Sequence, residues 1–126
     1  MVQEYRVKVY EDRTEWRNLE GELHRVGGPA IEWSNGNKEW WVNGQIHRLD
    51  GPAIEWSNGT KFWYVNGGLH RLDGPAVERS DGYKEWWIEG QELTEEEFKR
   101  KVNPIQELTV GEISQRLGYE VKIVKS

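Results

Sequence analysis

The sequence contains no cysteine, so neither a disulfide framework nor a thiolate metal site can form. No apolar run approaches the roughly 18 residues that a membrane-spanning helix needs, and residues 1–10 lack the apolar stretch of a signal peptide. The lack of thiols fits a reducing compartment. These absences predict a cytoplasmic protein that does not enter a membrane.

Hydrophobic residues are also scarce, at only 36% of the 126 residues. Eight Trp and five Tyr partly compensate, because each aromatic side chain buries roughly 150–250 Å². The formal net charge of −5 arises from interspersed acidic and basic residues, without the basic stripe that is typical of nucleic-acid-binding proteins. We therefore expect one aromatic-rich domain that does not bind nucleic acid.

The dominant feature of the chain is an internal repeat of 23 residues. Residues 21–43, 44–66 and 67–89 form three units, and the first two are identical at 16 of 23 positions, which predicts one shared structure. Residues 90–93 begin a fourth unit, and residues 11–20, which contain Trp16, resemble a degenerate half-unit. The predicted organisation is an N-terminal strand and half-unit (1–20), the repeat array (21–93) and a C-terminal segment (94–126).

Each unit is predicted to be a β-hairpin. In the first unit, residues 29–33 and 38–42 read as strands, and Asn35-Gly36 offers the positive φ angles of a type I′ turn. The corresponding turn glycines of the next two units are Gly59 and Gly82. Asn43-Gly44 is predicted to turn the chain into the following unit.

The register within the hairpin stays open. A two-residue loop would place Ile31 opposite Trp40, but it would also place Glu32 opposite Glu39, an unfavourable pair of like charges. A longer loop would shift the pairing by one residue. In either register, the adjacent Trp40 and Trp41 must point to opposite faces of the sheet.

The chain ends are predicted to complete the sheet. Residues 5–9 alternate apolar and basic side chains, which indicates an edge or pairing strand. Thr94 and Glu97 form a capping box ahead of a helix over 95–101, and a second helix ending at Gly118 and a strand over 119–125 follow. The predicted fold is mainly β: an elongated, twisted antiparallel sheet of tandem hairpins with a small α+β C-terminal cap that ends the array or covers one face.

Three residue types recur at fixed positions of the unit and are predicted to be structural. The histidines would lie about 9–10 Å apart, too far to share a metal ion whose bonds measure about 2 Å. Each arginine is predicted to stack on the Trp of a neighbouring unit, and each aspartate to hold the next Gly-Pro turn through an Asx-type bond. The residues are His24, His47, His70, Arg25, Arg48, Arg71, Asp50 and Asp73.

The recurrence also argues against catalysis, because an active site needs one unique cluster instead of three equivalent ones. The sequence contains no phosphate-binding loop, no dinucleotide-binding fingerprint and no nucleophile elbow. We expect a protein that is not an enzyme and that has neither a cofactor nor a metal.

The pattern W-x-x-x-G-x-x-H, with an N-G or D-G turn in each unit, resembles MORN-type repeats. Trp40, Gly44 and His47 carry the likeness, with their equivalents Trp63, Gly67 and His70. The chain departs by writing His-Arg-x-Asp-Gly-Pro-Ala, as in a divergent variant of bacteriophage and giant-virus proteins. The resemblance covers residues 11–93. It implies an extended antiparallel sheet that binds proteins or lipids.

These features predict a non-enzymatic binding protein that acts through an uncovered aromatic face of the sheet. The viral resemblance suggests a host protein as the partner, such as a defence nuclease inhibited in the manner of an anti-CRISPR protein, in the host cytoplasm. Alternatives are a nucleotide or small-ligand sponge that uses Trp and Arg, and an assembly component or homodimer joined at sheet edges. The candidate binding residues are Trp33, Trp41, Trp56, Tyr64, Trp87, Arg48 and Arg71.

Overall fold

A computed structural model describes residues 2–103 together with Gln115 and Gly118. Within these residues the fold is mainly β, as predicted, with thirteen strands and one helix. Nine strands form one antiparallel sheet in the order β1-β2-β3-β4-β7-β8-β11-β12-β13, and two further two-stranded sheets pair β5 with β6 and β9 with β10. The strands are β1 (Arg6–Val9), β2 (Arg13–Arg17), β3 (Ile31–Trp33), β4 (Lys38–Glu39), β5 (Trp41–Val42), β6 (Gln45–Ile46), β7 (Ile54–Glu55), β8 (Lys61–Phe62), β9 (Tyr64–Val65), β10 (Gly68–Leu69), β11 (Val77–Glu78), β12 (Lys84–Ile88) and β13 (Gln91–Leu93).

In the first two units the second predicted strand is interrupted at Trp40 and Trp63. The part before the Trp belongs to the nine-stranded sheet, and the part after it forms a small hairpin with the next strand. The small hairpins bond to each other: Arg48 N donates to Tyr64 O at 3.1 Å, and Gly67 N donates to Ile46 O at 2.9 Å. The hairpin of β3 and β4 thus lies within one unit on one side of a crease, whereas the small hairpin of β5 and β6 lies on the other side and joins two consecutive units. In the third unit β12 runs without interruption.

The alanine of each Gly-Pro-Ala sequence lies in this crease and is fully buried in all three units. Ala53 N donates to Phe62 O at 2.8 Å within its own unit, and Ala53 O accepts from Trp40 N of the preceding unit at 2.7 Å. Ala30 makes both equivalent bonds, and Ala76 O accepts from Trp63 N at 2.8 Å. A small side chain is required here because two units meet where the strand bends.

The Asn35-Gly36 turn differs from the prediction. Gly36 has φ of 95°, whereas Asn35 is not among the residues with positive φ, so the type I′ assignment is wrong. Trp33 N donates to Asn37 O across a three-residue loop, and Asn35 Oδ1 accepts from Asn37 N at 2.9 Å, which ties the turn together.

The longer loop settles the register. Ile31 lies opposite Glu39, and Glu32 lies opposite Lys38, so the pairing is shifted by one residue. Of the two registers that the sequence left open, the structure has the one with the longer loop, and Ile31 does not lie opposite Trp40. The shift replaces a like-charge pair with an opposite-charge pair, which is the favourable arrangement across antiparallel strands.

The type I′ geometry occurs instead at the turns between units. Asn43 and Gly44 have φ of 47° and 80°, and the flanking Val42 and Gln45 are paired. Positive φ at both central residues recurs at Asn66-Gly67 and Glu89-Gly90. Two turns of different type therefore alternate along the array, one at each end of the unit.

The two ends of the nine-stranded sheet differ. β1 forms one edge, as the alternation of residues 5–9 predicted, whereas α1 (Glu95–Val102) packs against β12 and β13 at the other end and buries Phe98. The predicted capping box is confirmed, since Glu97 N donates to Thr94 Oγ1 and Thr94 N donates to Glu97 Oε1. Among the described residues, no helix has the length and hydropathy to span a bilayer. Apart from Gln115 and Gly118, the predicted second helix and the final strand lie outside the described residues.

Adjacent glycines of one turn give a matched test of the turn geometry. Gly67 has φ of 82°, so Gly67→Ala should lower the free energy of unfolding by about 1–2 kcal/mol through backbone strain. Gly68 lacks positive φ, and an added Cβ would meet its nearest neighbours at ordinary contact distance, so Gly68→Ala should be neutral or slightly stabilising. Urea unfolding of both variants measures the difference, and equal losses would contradict the turn assignment.

Candidate functional site

One face of the array is occupied by a ladder of arginine–tryptophan stacks. Each arginine of the His-Arg sequence lies over the indole of the preceding unit, as predicted. The distances from guanidinium carbon to ring centroid are 3.9 Å for Arg25 on Trp16, 3.9 Å for Arg48 on Trp40 and 3.8 Å for Arg71 on Trp63. Trp16 thus takes the same place in the half-unit that Trp40 and Trp63 take in complete units.

Further contacts fix each guanidinium in place. Arg48 Nη1 donates to Pro52 O at 3.0 Å and to Glu55 Oε1 at 3.2 Å, and Arg48 Nε donates to Asp50 Oδ1 at 2.8 Å. A Cβ on Gly51 would come within 3.0 Å of the guanidinium carbon, so the loop backbone closes over the arginine on the side away from the indole. Arg71 repeats these bonds with Pro75, Glu78 and Asp73.

The role predicted for Asp50 and Asp73 is wrong. Each side-chain carboxylate accepts from the arginine two residues earlier, and among the described hydrogen bonds neither holds the following Gly-Pro turn. The aspartates are therefore part of the contacts that hold each arginine. We call the arginine, the indole on which it stacks and the groups that bond to its guanidinium the arginine clamp. The first unit has Gly27 at this position, and Arg25 keeps its bonds to Pro29 and Glu32 without the aspartate.

The histidines fasten the turn at the end of their own unit. His24 Nδ1 accepts from Asn43 N at 3.0 Å, and His47 Nδ1 accepts from Asn66 N at 2.9 Å. His70 makes the same bond with Glu89 N at 2.9 Å. Each imidazole thus bonds to a separate type I′ turn; the histidines were predicted to be structural residues of the repeat turns, but the partner 19 residues later was not identified. In the described part of the chain, no group of three or more His, Asp or Glu is arranged to hold a metal ion.

The opposite face carries the aromatic residues that were predicted to bind. Glu39 accepts hydrogen bonds from the indole of Trp33 at 3.1 Å and from the indole of Trp41 at 3.0 Å, so both rings lie on its side of the sheet. Trp56 lies on the same side, because its ring packs edge-on against Phe62, which stands in register with Ile54 and so with Glu39.

Further along the array, the same face continues with Tyr64 and Trp87. Trp87 Nε1 donates to Glu85 Oε1 at 2.8 Å, and Glu85 stands across from Val77 and so in line with Phe62. Burial, followed by the nearby Glu85 carboxylate, raises the pKa of Tyr64 above its ordinary value. We call the surface formed by Trp33, Trp41, Trp56, Tyr64 and Trp87 the aromatic face.

The candidate binding residues are therefore divided between two faces. Arg48 bonds to Glu55, which follows Ile54 in its strand and so points away from the side of Glu39. Arg48 and Arg71 thus lie on the face opposite the aromatic face. They cannot form one binding site with the five aromatic residues. Their direct stacking at 3.8–3.9 Å also leaves no slot between Arg and Trp for a nucleotide base.

Clefts lie between successive arginine loops. One of about 610 Å³ has Trp63 and His70 in its wall and exposed Leu49 and Leu72 at its rim. A second, of about 400 Å³, repeats the arrangement around Trp40. Both are open grooves in which the polar groups already bond to one another. The grooves therefore offer a ligand apolar contacts and no reactive group.

The half-unit contains a carboxylate that is buried to 5% exposure, Glu15. Burial by itself raises the pKa of Glu15, but hydrogen bonds from Arg13 and Arg17 outweigh burial and hold the pKa below its ordinary value. In the clamps, the hydrogen bond from Arg48 lowers the pKa of Asp50, and that from Arg71 lowers the pKa of Asp73.

Comparison with known proteins finds no matching family model, no matching curated protein and no matching solved structure. The likeness to MORN-type repeats stays a resemblance in the residue pattern.

Replacing a clamp arginine should destabilise the array. Arg48→Lys removes the planar group that stacks on Trp40, and it removes Nη1, which bonds to Pro52 O and Glu55. The free energy of unfolding should therefore fall by about 1–3 kcal/mol. The matched control is Arg79→Lys, because Arg79 is exposed and lies 5.6 Å from the Tyr83 ring centroid. The control should change stability by less than about 0.5 kcal/mol. If Arg48→Lys and Arg79→Lys lower the free energy of unfolding equally in urea, the arginine clamp does not contribute to stability.

Acid should weaken the fold through the clamp carboxylates. Their pKa values are lowered on folding, so their contribution is complete above the ordinary aspartate value and is lost as the pH falls through the folded values, below about pH 4. The double variant Asp50→Asn with Asp73→Asn should lose part of this pH dependence and keep the part from Glu15. Unfolding curves from pH 7 to pH 2.5 test this, and an unchanged slope in the variant would contradict it.

Proposed function

We propose that this chain is a non-enzymatic protein that acts by binding another protein through its aromatic face. One observation carries the proposal: five large aromatic side chains share one side of a single-layer sheet. Within residues 2–103, the helix packs against β12 and β13, at one end of that sheet. Trp and Tyr are also the residue types enriched among the side chains that dominate binding energy at protein interfaces.

The aromatic face is held rigid before any partner arrives. Glu39 fixes two indoles by hydrogen bonds, and Glu85 fixes a third. Fixed rings lose little conformational freedom on binding, which lowers the entropic cost of association. Trp56 is the most accessible of the five aromatic residues, at 40% exposure, and lies in the middle unit of the array. It is therefore the expected anchor of the interface.

The viral resemblance extends the proposal to a host protein as the partner. Such a chain would inhibit a defence enzyme, for example a nuclease, by occupying its surface and without any chemistry of its own. The repeated clamps and turns support this reading, because they use the histidines, arginines and aspartates for structure. The cytoplasm of the host is the corresponding location.

Parallel affinity capture with three proteins tests the aromatic face. The wild-type chain, Trp56→Ala and Leu49→Ala are immobilised and exposed to the same host-cell lysate; Leu49 is 80% exposed and lies at the rim of the clefts between the arginine loops, not on the aromatic face. Wild type and Leu49→Ala should recover one stoichiometric partner. Trp56→Ala should bind the purified partner about 30-fold more weakly, as expected for a hot-spot residue that contributes about 2 kcal/mol or more.

Two outcomes would contradict the proposal. Equal affinity of Trp56→Ala and wild type would remove the aromatic face as the interface, and recovery of no stoichiometric partner by any of the three proteins would remove protein binding. Circular dichroism of Trp56→Ala confirms that the sheet is intact. If the partner is a nuclease, its activity in the purified complex tests inhibition directly.

A further inference from the structure

Within residues 2–103, the first strand forms an edge of the nine-stranded sheet that no described strand covers. All four residues of β1 are exposed, including Val7 at 50% and Val9 at 79%. In the described part of the chain β1 has a neighbouring strand, β2, on one side only, whereas α1 packs against the strand at the opposite edge. An open edge presents backbone donors and acceptors that a further strand can use.

The hydrogen-bond pattern shows which backbone groups point outward. Tyr10 N donates to Arg13 O at 2.7 Å, so Tyr10 and Arg13 form a hydrogen-bonded pair. Such pairs alternate along antiparallel strands, so Lys8 and Arg6 also direct their backbone groups toward β2. The N–H and C=O groups of Val7 and Val9 therefore face away from the sheet, where a further strand would bond.

Within β1 both charged side chains, Arg6 and Lys8, are basic on a protein whose net charge is −5, with Glu4 before the strand and Glu11 after it. Lys8 lies opposite Glu15, and Arg6 lies directly opposite Arg17, a like-charge pair that costs stability. Glu15 forms ion pairs with Arg13 and Arg17. Within residues 2–103, Arg6 and Lys8 take part in no ion pair. The edge thus carries positive charge that an acidic neighbour would neutralise.

When two copies of the chain pair over residues 6–9 of β1, the same charges oppose the pairing. When two identical antiparallel strands are related by a twofold axis, each residue lies opposite a residue whose side chain points to the same face of its own strand. A basic side chain of β1 therefore meets a side chain from the basic face of the other copy. Centred on Val7, the pairing sets Arg6 against Lys8; centred on Lys8, it sets Lys8 against itself. Charged side chains on an edge strand commonly prevent such self-association. The occupant that fits the edge is therefore a different, acidic strand.

We propose that β1 binds an extended acidic segment of another protein, which adds to the sheet as a tenth strand. Its backbone would bond to Val7 and Val9, and its carboxylates would lie beside Arg6 and Lys8 while its apolar side chains lie beside the two valines. A nucleic acid also carries negative charge, but it has no peptide backbone to complete the ladder. This edge is a second surface, separate from the aromatic face, and does not depend on the function proposed for that face.

Fluorescence anisotropy with a labelled eight-residue peptide that alternates Glu with Val or Thr tests the charge requirement. The peptide should bind, and binding should weaken as salt increases. The comparison ligands are a peptide with Lys in place of Glu and a single-stranded oligonucleotide of equal length, and neither should match its affinity. Arg6→Glu with Lys8→Glu should lower the affinity at least tenfold. The matched control, Arg100→Glu with Lys101→Glu, changes the net charge equally on α1 and should have little effect.

A proline variant tests the backbone requirement. Val9→Pro removes an outward N–H and leaves the bonds between β1 and β2 in place, because edge strands tolerate proline whose missing donor faces solvent. It should abolish peptide binding while the melting temperature stays near that of wild type. Equal binding of the Lys peptide, tighter binding of the oligonucleotide, or unchanged binding by Val9→Pro would each overturn the proposal. Trp56→Ala should bind the peptide normally, which separates this site from the aromatic face.

Discussion

The stack of each arginine on the tryptophan of the preceding unit is the interaction on which the array depends. A guanidinium such as that of Arg48 touches an indole on one side and the Gly51 loop on the other, and it joins Pro52 O, Glu55 and Asp50 by hydrogen bonds. It therefore links residues of two units through one planar group. Lysine cannot supply this combination of stacking and divergent hydrogen bonds. A repeat with few aliphatic residues obtains its cohesion in this way.

The clamp also decides which face of the sheet remains for binding. The arginines, their glutamates and Trp40 and Trp63 occupy one side, and the five residues of the aromatic face lie on the other. In the half-unit at the N-terminal end, the side that carries the aromatic face has Arg13, Glu15 and Arg17 in place of aromatic residues. The aromatic face therefore passes into a basic edge, and the two surfaces differ in the chemistry of the partner that each suits.

Much of the fold follows from the sequence, because the repeat fixes local patterns three times over. The β class, the turns at Asn43-Gly44, the capping box at Thr94 and the stacking of Arg on Trp were all predicted. The turn at Asn35-Gly36 was predicted in the right place but with the wrong type, since the same dipeptide suits two loop lengths; the φ angles and the bond from Asn37 N to Asn35 Oδ1 identify the longer loop.

The site was less predictable, because it depends on contacts between units. The sequence predicted that Trp40 and Trp41 point to opposite faces but left open which of them lies with the other aromatic residues, so it did not show that Arg48, which stacks on Trp40, lies opposite Trp41. The partner of Asp50 was also missed. From the sequence, an aspartate between Arg48 and the Gly-Pro turn could accept a hydrogen bond from either of them, and the structure shows that it accepts one from Arg48. The bond from His47 to Asn66 joins residues 19 positions apart, which the recurring spacing of His and the turn indicates in retrospect.

Nuclear magnetic resonance of the arginine side chains is the most direct test of the clamp. If each clamp guanidinium lies over an indole, three arginine Nε–H resonances should be resolved at neutral pH, exchange slowly, and show Overhauser contacts to the rings of Trp16, Trp40 and Trp63. The stacked side-chain protons should also be shifted upfield by the ring currents. Arginine side chains that all exchange rapidly and share one averaged position, in a chain that is still folded, would contradict the account.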